Sequence, residues 1–344
     1  MPRPVFVIPH YSATESSWRF LDRAVSSILE QTDPDWDAVI IDDCSPSSDK
    51  TARLQELQAR DSGRLHIIEK NTNEGPGSSR NIGVAWAAER RAPFVLFHDA
   101  DDLAQQDRLR VTREYFQRRP DVDFLYSTFE VVNEREEPVP THTLTSSIQE
   151  ILNGHVINPV EGRDQWLRVA VEKGYTTWTS TVAVRTELAA AHPFPTTFVS
   201  EDSHAWLRML AAGTTVAFAD TPLSRRRICS SVNGSTTRQR YGSDFYWIKL
   251  AVDLDAFSRA LEFARLRGGI SDLDEIELRR RFHLRQAETM ARERHERGAD
   301  LCRGLAALAL LEANVVAPRP YASSHDDRFA IDGHAHTVAA QPSR

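Results

Sequence analysis

Apolar and polar positions alternate between two rhythms over roughly the first 130 residues. Residues 5–8 form a short apolar run, and after a Ser/Thr-rich turn Leu21, Val25 and Ile28 recur at helical spacing. Residues 38–41 are the next apolar run, ending abruptly at Asp42 and Asp43. A Ser/Pro/Asp turn over 44–49 leads into a polar-rich helix that ends near Arg60. Residues 65–68, a Gly-rich loop and a helix through 85–88 repeat the unit. Residues 94–97 form another buried-type strand that also runs into acids, His98-Asp99-Ala100-Asp101-Asp102. Strands and helices alternating at this spacing predict βαβ units and an α/β fold with a doubly wound, mostly parallel sheet.

The alternation weakens after a run at 123–126. Residues 133–159 are polar with prolines at 138, 140 and 159, which predicts a loop or lid. A helix is expected around 163–171, a strand at 178–184, a helix at 203–211 and a strand at 216–219. From about Ser243 the chain turns helical, with Leu250, Leu254, Phe257 and Leu261 in one stripe and Leu301, Leu305 and Leu308 in another. These stripes predict core or dimer contacts. The expected division is a nucleotide-binding and catalytic domain over 1–236, a helical C-terminal region over 237–320 and a disordered tail over 321–344.

Charge and composition narrow the partners. The 344 residues carry a formal net charge of −7, so no basic excess invites nucleic acid. No apolar run is long enough to span a membrane, and the first apolar run is too short for a signal-peptide core. The cysteines Cys44, Cys229 and Cys302 are odd in number and far apart, as expected of a reducing cytoplasm. Arg and Glu interleave over 279–297, the pattern of a solvated, ion-paired helix face; a face resting on acidic lipid or on a partner is the other reading.

Candidate chemistry sits where strands end. In open α/β sheets, ligands bind outside the carboxyl ends of the strands. Asp99 and Asp101, one residue apart past a buried strand, can reach one hard cation such as Mg²⁺ or Mn²⁺, or can cap the following helix. Asp43 can accept from the imide N–H of a base, or can stabilise its own turn. The segment Gly75-Pro76-Gly77-Ser78-Ser79-Arg80-Asn81-Ile82-Gly83 opens a helix whose N–H groups favour anions, and Arg80 offers a fork for phosphate or base oxygens. It lacks the Walker lysine and the dinucleotide spacing, which disfavours a kinase or a dehydrogenase.

The strings Val7-Ile8-Pro9-His10-Tyr11, residues 38–45, residues 77–83 and residues 97–103 together resemble the family-2 glycosyltransferases of the GT-A fold. Those enzymes carry, in this order, an apolar strand with Pro-x-Tyr, a strand ending in Asp-Asp-x-Ser, Gly-x-x-x-Arg-Asn-x-Gly and Asp-x-Asp-Asp. More loosely, residues 178–185 are similar to the acceptor-side strand of the family, and Glu201-Asp202 to its Glu-Asp motif. The resemblance implies an inverting transfer from a nucleotide sugar, a UDP-sugar first, to a saccharide, natural-product or peptide acceptor. It implies donor contacts from Pro9, Tyr11, Asp43, Arg80, Asp99, Ala100 and Arg227, a Mn²⁺ or Mg²⁺ held by Asp99 and Asp101, and Asp202 as base with Glu201 in support. One departure stands out: Cys229 occupies the place where the family commonly has a His near the diphosphate or metal, and His204 or a water is the expected substitute. Trp166, Trp178 and Trp206 can stack on an acceptor sugar or pack in the core. A nucleotidyltransferase on a similar scaffold is the alternative enzyme, although 9–14 lacks the basic Gly-rich loop it needs; an inactive nucleotide-sugar-binding homologue is the third reading.

Overall fold

The computed structural model describes residues 2–174, 176–229, 236–268 and 270–316. The first half runs β1 (Val5–His10), α1 (Glu15–Leu29), β2 (Asp37–Asp42), α2 (Lys50–Ala59), β3 (Leu65–Glu69), α3 (Pro76–Glu89), β4 (Phe94–Phe97), β5 (Leu103–Ala104), α4 (Arg108–Arg118) and β6 (Phe124–Val132). Then come α5 (Ser146–Ile157), β7 (Gly162–Arg163), a π-helical turn (Arg168–Lys173), a 3-10 turn (Thr179–Thr181), β8 (Ala183–Arg185), α6 (Thr186–Ala191), α7 (Glu201–Ala211) and β9 (Thr215–Arg227). Helices α8 (Thr236–Tyr241), α9 (Asp244–Leu266), α10 (Asp272–Arg292) and α11 (Glu296–Val316) complete the described residues.

One sheet holds all nine strands found among the described residues, in the order β3-β2-β1-β4-β8-β6-β9-β5, with β7 on β9. Successive residues of its central strands point to opposite faces, and both faces are covered. Val5, Val7, Val39, Ile41, Val95 and Phe97 join the core beneath α3, α7 and α9. Phe6, Ile8, Ala38, Ile40, Phe94 and Leu96 join the core beneath α1, α2 and α4. That double burial is why these strands are unbroken apolar runs rather than alternating ones. Pro9 is tolerated in this central strand because β1 pairs with β4 only through Val7, so the missing N–H falls beyond the last rung on that side.

The α/β fold and its two helical layers match expectation; the strand directions do so only in part. β1, β2, β3 and β4 are mutually parallel, but β8 runs antiparallel between β4 and β6, and β5 and β7 run antiparallel to β9. The sheet is therefore mixed, with its long ladders parallel and its antiparallel ones only two or three residues long. The expected loop at 133–159 contains α5, which buries Ile148 and Ile151 against Phe129 and Val131. The expected strand at 178–184 is a 3-10 turn followed by a three-residue strand. The helix expected at 163–171 begins later and winds into the π-helical turn, after Gly162 and Arg163 have paired with β9.

Helix α9 does not stand apart from the sheet. Phe257, Ala260 and Leu261 share the core of β1 and α7, and Phe257 stacks on Phe282 of α10 with ring centroids 4.1 Å apart. The stripe at 250–261 is thus core. Leu301 and Leu308 of the second stripe are exposed, and α11 turns Ala299, Cys302, Ala306 and Ala309 inward instead. The tail expected over 321–344 lies outside the described residues. Among the described residues, no helix is long and apolar enough to cross a membrane.

Candidate active site

The carboxyl ends of β2 and β4 flank that of β1 and carry the first acids singled out above. At the end of β2 the two aspartates divide the work. Asp42 is buried and accepts from the Ser45 hydroxyl at 2.5 Å, the Ser45 N–H at 3.0 Å and Lys50 Nζ at 3.3 Å. Asp43, also buried, accepts from Lys70 Nζ at 2.6 Å and the Glu74 N–H at 3.1 Å through one oxygen. Its other oxygen takes the Gly75 N–H at 2.7 Å. Asp43 is thus itself an anion just ahead of α3, and it takes up the Glu74 and Gly75 N–H groups. Lys70 had no motif to announce it; a lone Lys after an apolar strand carries no sequence signal of burial.

The Gly-rich segment is a lock between α3 and the chain ahead of α7. A Cβ on Gly77 would sit 2.6 Å from the Pro195 carbonyl oxygen and 3.3 Å from Glu201 Cγ. Asn81 donates to the Phe194 carbonyl at 2.9 Å and accepts from the Phe194 N–H at 2.8 Å. Arg80 is buried and donates to Glu201 Oε1 at 2.8 Å and to Asp99 Oδ1 at 2.7 Å. Its fork, expected at the nucleotide, is filled by protein carboxylates. It ties the acidic loop after β4 to the acidic start of α7. Burial works to lower the Arg80 pKa, but Asp99, Glu201 and Asp202 together raise it.

The loop after β4 holds three aspartates in unlike settings. Asp102 is fully buried and accepts from Trp178 Nε1 at 2.6 Å and the Arg227 N–H at 2.9 Å. It is fastened to the protein. Asp99 has its N–H bonded to Ser180 Oγ and its carboxylate against Arg80. Asp101 faces the cleft, where solvent reaches it although protein crowds around it. Desolvation, then the charges of Asp102 and Asp99, push its carboxyl up to about 7. Asp102 rises to about 6, chiefly by burial and next by Asp99. Ala100 packs against the core below. Beneath the loop lies a buried pair that no motif announced: Arg108 donates to His98 Nδ1 at 3.1 Å and to the Phe97 carbonyl at 2.7 Å. Burial lowers the Arg108 pKa to about 9, against the pull of Asp102 and Asp99.

The residues present fit a hard divalent cation. Carboxylates that repel one another in a cleft gain from a positive charge, and Mg²⁺ or Mn²⁺ needs only one or two protein carboxylates when phosphate and water supply the rest. Among the described residues no group of three His, Cys, Asp or Glu side chains converges to hold an ion unaided. His204 is not the missing ligand: its Nε2 lies 2.7 Å from Asp255 of α9, and its Nδ1 accepts from Arg208 at 3.1 Å. Cys229 is close enough to Glu134 and Asp101 that, after burial, their charges raise its thiol pKa.

At the start of α7 the two acids separate in role. Glu201 is buried against Arg80, and burial followed by Asp202 pushes its carboxyl up to about 7 while Arg80 opposes. Asp202 is half-buried and accepts from Thr179 Oγ1 at 2.9 Å and from the Ser203 N–H at 2.7 Å. Ser200, just before them, takes a left-handed backbone (φ 59°) to turn the chain into the helix.

At the end of β9, Arg227 does not present a free fork. It donates through Nε to the Asp101 carbonyl at 2.8 Å and through Nη2 to Glu136 at 3.1 Å, and lies over Phe20. The expected donor contact is thus a buried brace for the aspartate loop. Arg226 lies over the Trp178 ring, 3.5 Å from its centroid. Trp178 is in turn fixed by Asp102, while Trp166 and Trp206 are buried in the core. Tyr11 is exposed just past β1.

A mixed α/β sheet with aspartates gathered at its carboxyl edge is an architecture of the GT-A type. Residues 5–171, just under half of the chain, match the model described as Glycosyl transferase family 2. The UDP-Glc:alpha-D-GlcNAc-diphosphoundecaprenol beta-1,3-glucosyltransferase WfgD of Escherichia coli is 28% identical over 127 residues, which is 37% of this chain and 46% of WfgD. The chain spans less than half the length of the curated relatives it matches. Among solved structures, Staphylococcus aureus TarS 1–349 in complex with UDP-GlcNAc aligns with TM-score 0.51 and 18% identity, over 88% of this chain and 90% of that one. The mannosyltransferase PcManGT of Pyrobaculum calidifontis, in complex with GDP-Man and Mn²⁺, aligns with TM-score 0.53 and 15% identity, over 93% of this chain and 76% of that one. At these identities the structural likeness speaks for the fold alone.

Proposed function

We propose that this chain moves a sugar from a nucleoside-diphosphate sugar to a hydroxyl or other nucleophile of a saccharide, natural-product or peptide acceptor, with inversion, and that Mn²⁺ or Mg²⁺ assists. The carrying observation is the Arg80 bridge, which fastens Asp99 and Glu201 to one guanidinium and so sets the aspartate loop and the start of α7 on one cleft. In this reading Asp202 takes the acceptor proton as the acceptor oxygen bonds to the anomeric carbon and the bond from that carbon to the phosphate oxygen breaks. Asp202 is preferred over Glu201 because Glu201 is buried and spent on Arg80, whereas Asp202 reaches solvent. Thr179 holds the base in place, and Glu201 ties the start of α7 to Arg80. Asp99 and Asp101 would hold the cation, which when bound neutralises charge developing on the departing diphosphate.

Asp43 supports a uracil base. A carboxylate offers about four acceptor sites, and three donors already fix its orientation, leaving room for one imide N–H. WfgD uses UDP-Glc by its name, which leans the same way; PcManGT with GDP-Man is the reminder that the scaffold takes other bases. The acceptor enters, in this reading, over α5 and the π-helical turn. The three free thiols support a reducing, cytoplasmic setting.

The test is release of nucleoside diphosphate from a panel of nucleotide sugars, with Mn²⁺ and with chelator, for the natural chain, Asp101→Ala and Asp202→Asn. Turnover that needs metal and is lost in both variants, with nucleotide binding kept in Asp202→Asn, is the expected result. Equal turnover in chelator or in Asp101→Ala rejects the metal assignment, and full activity in Asp202→Asn rejects the base.

A further inference from the structure

Helix α11 is dressed inside out. Its inner face packs Ala299 and Cys302 against Leu250, Ala287 and Met290, while its outer face carries the large apolar residues. Leu301 is 46% exposed, Leu308 56% and Leu311 60%. A solvent-facing helix surface is ordinarily polar. Here Arg297, Leu301, Gly304, Leu308 and Leu311 recur at alternating spacings of four and three, the strict rhythm of a helix-to-helix seam rather than the broader stripe of a core face.

Gly304 is the second observation. It sits in mid-helix, where glycine weakens a helix, and nothing lies within 4 Å of where its Cβ would be. No contact within the described residues calls for a missing side chain there. A helix backbone approaching from outside does.

We propose that this face is the interface of a homodimer, in which two copies of α11 pack antiparallel about a two-fold axis passing between Gly304 and Leu305. The sequence is self-complementary in that register. Leu301 faces the partner's Leu308 and Leu308 the partner's Leu301, so the axis buries both pairs at once. Gly304 receives the partner's Leu305. At each end Arg297 meets the partner's Glu312, an opposite charge at the rim; Glu312 is half-exposed and its present contact with Arg279 is long, at 3.5 Å. A two-fold interface must be its own complement, and a parallel pairing would instead set Arg297 beside Arg297 and Glu312 beside Glu312. That charge pattern and the four-three rhythm select a second copy over a lipid surface, which has no use for register.

The test is sedimentation velocity on the full chain across micromolar concentrations. A concentration-dependent dimer is expected, and Leu308→Glu should raise its Kd roughly thirtyfold or more, since the change falls on both copies at the centre of the interface. Helical circular dichroism and nucleotide-sugar turnover per protomer should be kept. Gly304→Ala should strengthen the helix yet weaken the dimer, opposite signs that a merely structural glycine would not give. Arg297→Glu alone should weaken the dimer severalfold, and adding Glu312→Arg should restore it. The proposal is overturned by a full chain that stays monomeric, by a dimer indifferent to Leu308→Glu, or by a dimer that forms only after removal of residues 317–344, which would mean that the same chain covers the seam.

Discussion

Two parts of this molecule hold many charged residues, and they hold them differently. At the carboxyl edge of the sheet, Asp99, Asp101, Asp102, Glu201 and Asp202 gather where Arg80 bridges Asp99 to Glu201, and desolvation with mutual repulsion leaves Asp101 and Glu201 with carboxyls near 7. Along α10, every arginine reaches an acid: Arg279 with Glu275, Arg280 with Glu277, Arg281 with Glu172, and Arg285 and Arg292 sharing Glu150. The first set is short of positive charge and, Asp101 apart, partly or wholly withdrawn from bulk water; the second is matched and largely exposed. A cluster left unbalanced awaits a charge from outside, whereas a balanced one only fastens surfaces together.

The largest effect should follow from emptying the unbalanced cluster. Asp101→Asn removes the one member that faces the cleft without being tied to a side-chain donor. Turnover should fall by about a thousandfold, near 4 kcal/mol of transition-state stabilisation. Thermal stability of the ligand-free protein should hold or rise, because repulsion with Asp99 and Asp102 goes with it. Activity by product release and melting by calorimetry, measured on the same preparation, separate the two. Loss of both together would place Asp101 with the structural acids instead.

A second contrast concerns buried groups that cannot pair. His10, at the end of β1, packs 4.8 Å from Trp18, and its Nε2 has no partner in the structure. Burial lowers its pKa from 6.5 to about 4, with Asp42 pulling the other way. A depressed histidine pKa means that the neutral form stabilises the fold above about 6.5, and that this contribution disappears as pH falls through 4. Between pH 7 and pH 5 the loss comes to about 2 kcal/mol. Urea unfolding at the two pH values should show it, and His10→Gln should shrink the difference. An unchanged pH dependence in the variant assigns the acid sensitivity to the other buried histidines.

The two regions also differ in how tightly their glycines are enclosed. Gly83 of α3 lies against Val7 and Ile41, and an added Cβ would overlap a Val7 methyl. Gly83→Ala should therefore destabilise by about 1 kcal/mol, the cost of overpacking reduced by the better helix propensity of alanine. Gly304→Ala, in the open, should stabilise the monomer by a similar amount. Equilibrium denaturation of both checks the pair; the same sign in both would erase the difference in packing.

These contrasts mark what the amino-acid pattern reveals. β1, β2, β3 and β4 were legible because strands covered on both faces are apolar at every position, and their ends were legible because acids interrupt them. Gly77 and Gly83 were legible as positions of a motif, but their physical work is the close approach of Pro195 and Val7. What α3 binds was not legible: the sequence offers Asp43 and Arg80 as ligands, and only the folded chain shows how much of each is spent on Gly75, Lys70, Glu201 and Asp99. α5 was hidden by prolines at 138, 140 and 159, which flank a helix without entering it. The antiparallel β8 is three residues long, and its direction is set by β4 and β6 rather than by anything local. Arg227 was unreadable for a similar reason, since three successive arginines on a strand look alike until the partners of each are known.

The smallest expected effect lies on α10 and tests the balanced half of the comparison. Arg280 grips Glu277 with two bonds of 2.7 Å, as good a geometry as any pair in the molecule. The side chains are 32% and 51% exposed, however, so water screens the attraction and competes for the same donors. Arg280→Ala should cost about 0.5 kcal/mol or less, and the difference should fade in high salt. Arg285 makes a useful neighbour, because its side chain is mostly buried and one of its bonds, at 2.8 Å, goes to the Lys173 carbonyl at the end of the π-helical turn. Arg285→Ala should cost more, about 1 kcal/mol, and should resist salt, because a backbone acceptor would lose its partner. Denaturant melts of the two variants at low and high ionic strength decide the matter: if Arg280 proves the costlier, the exposed pairs of α10 do more than fasten, and the line drawn between the two charged regions moves.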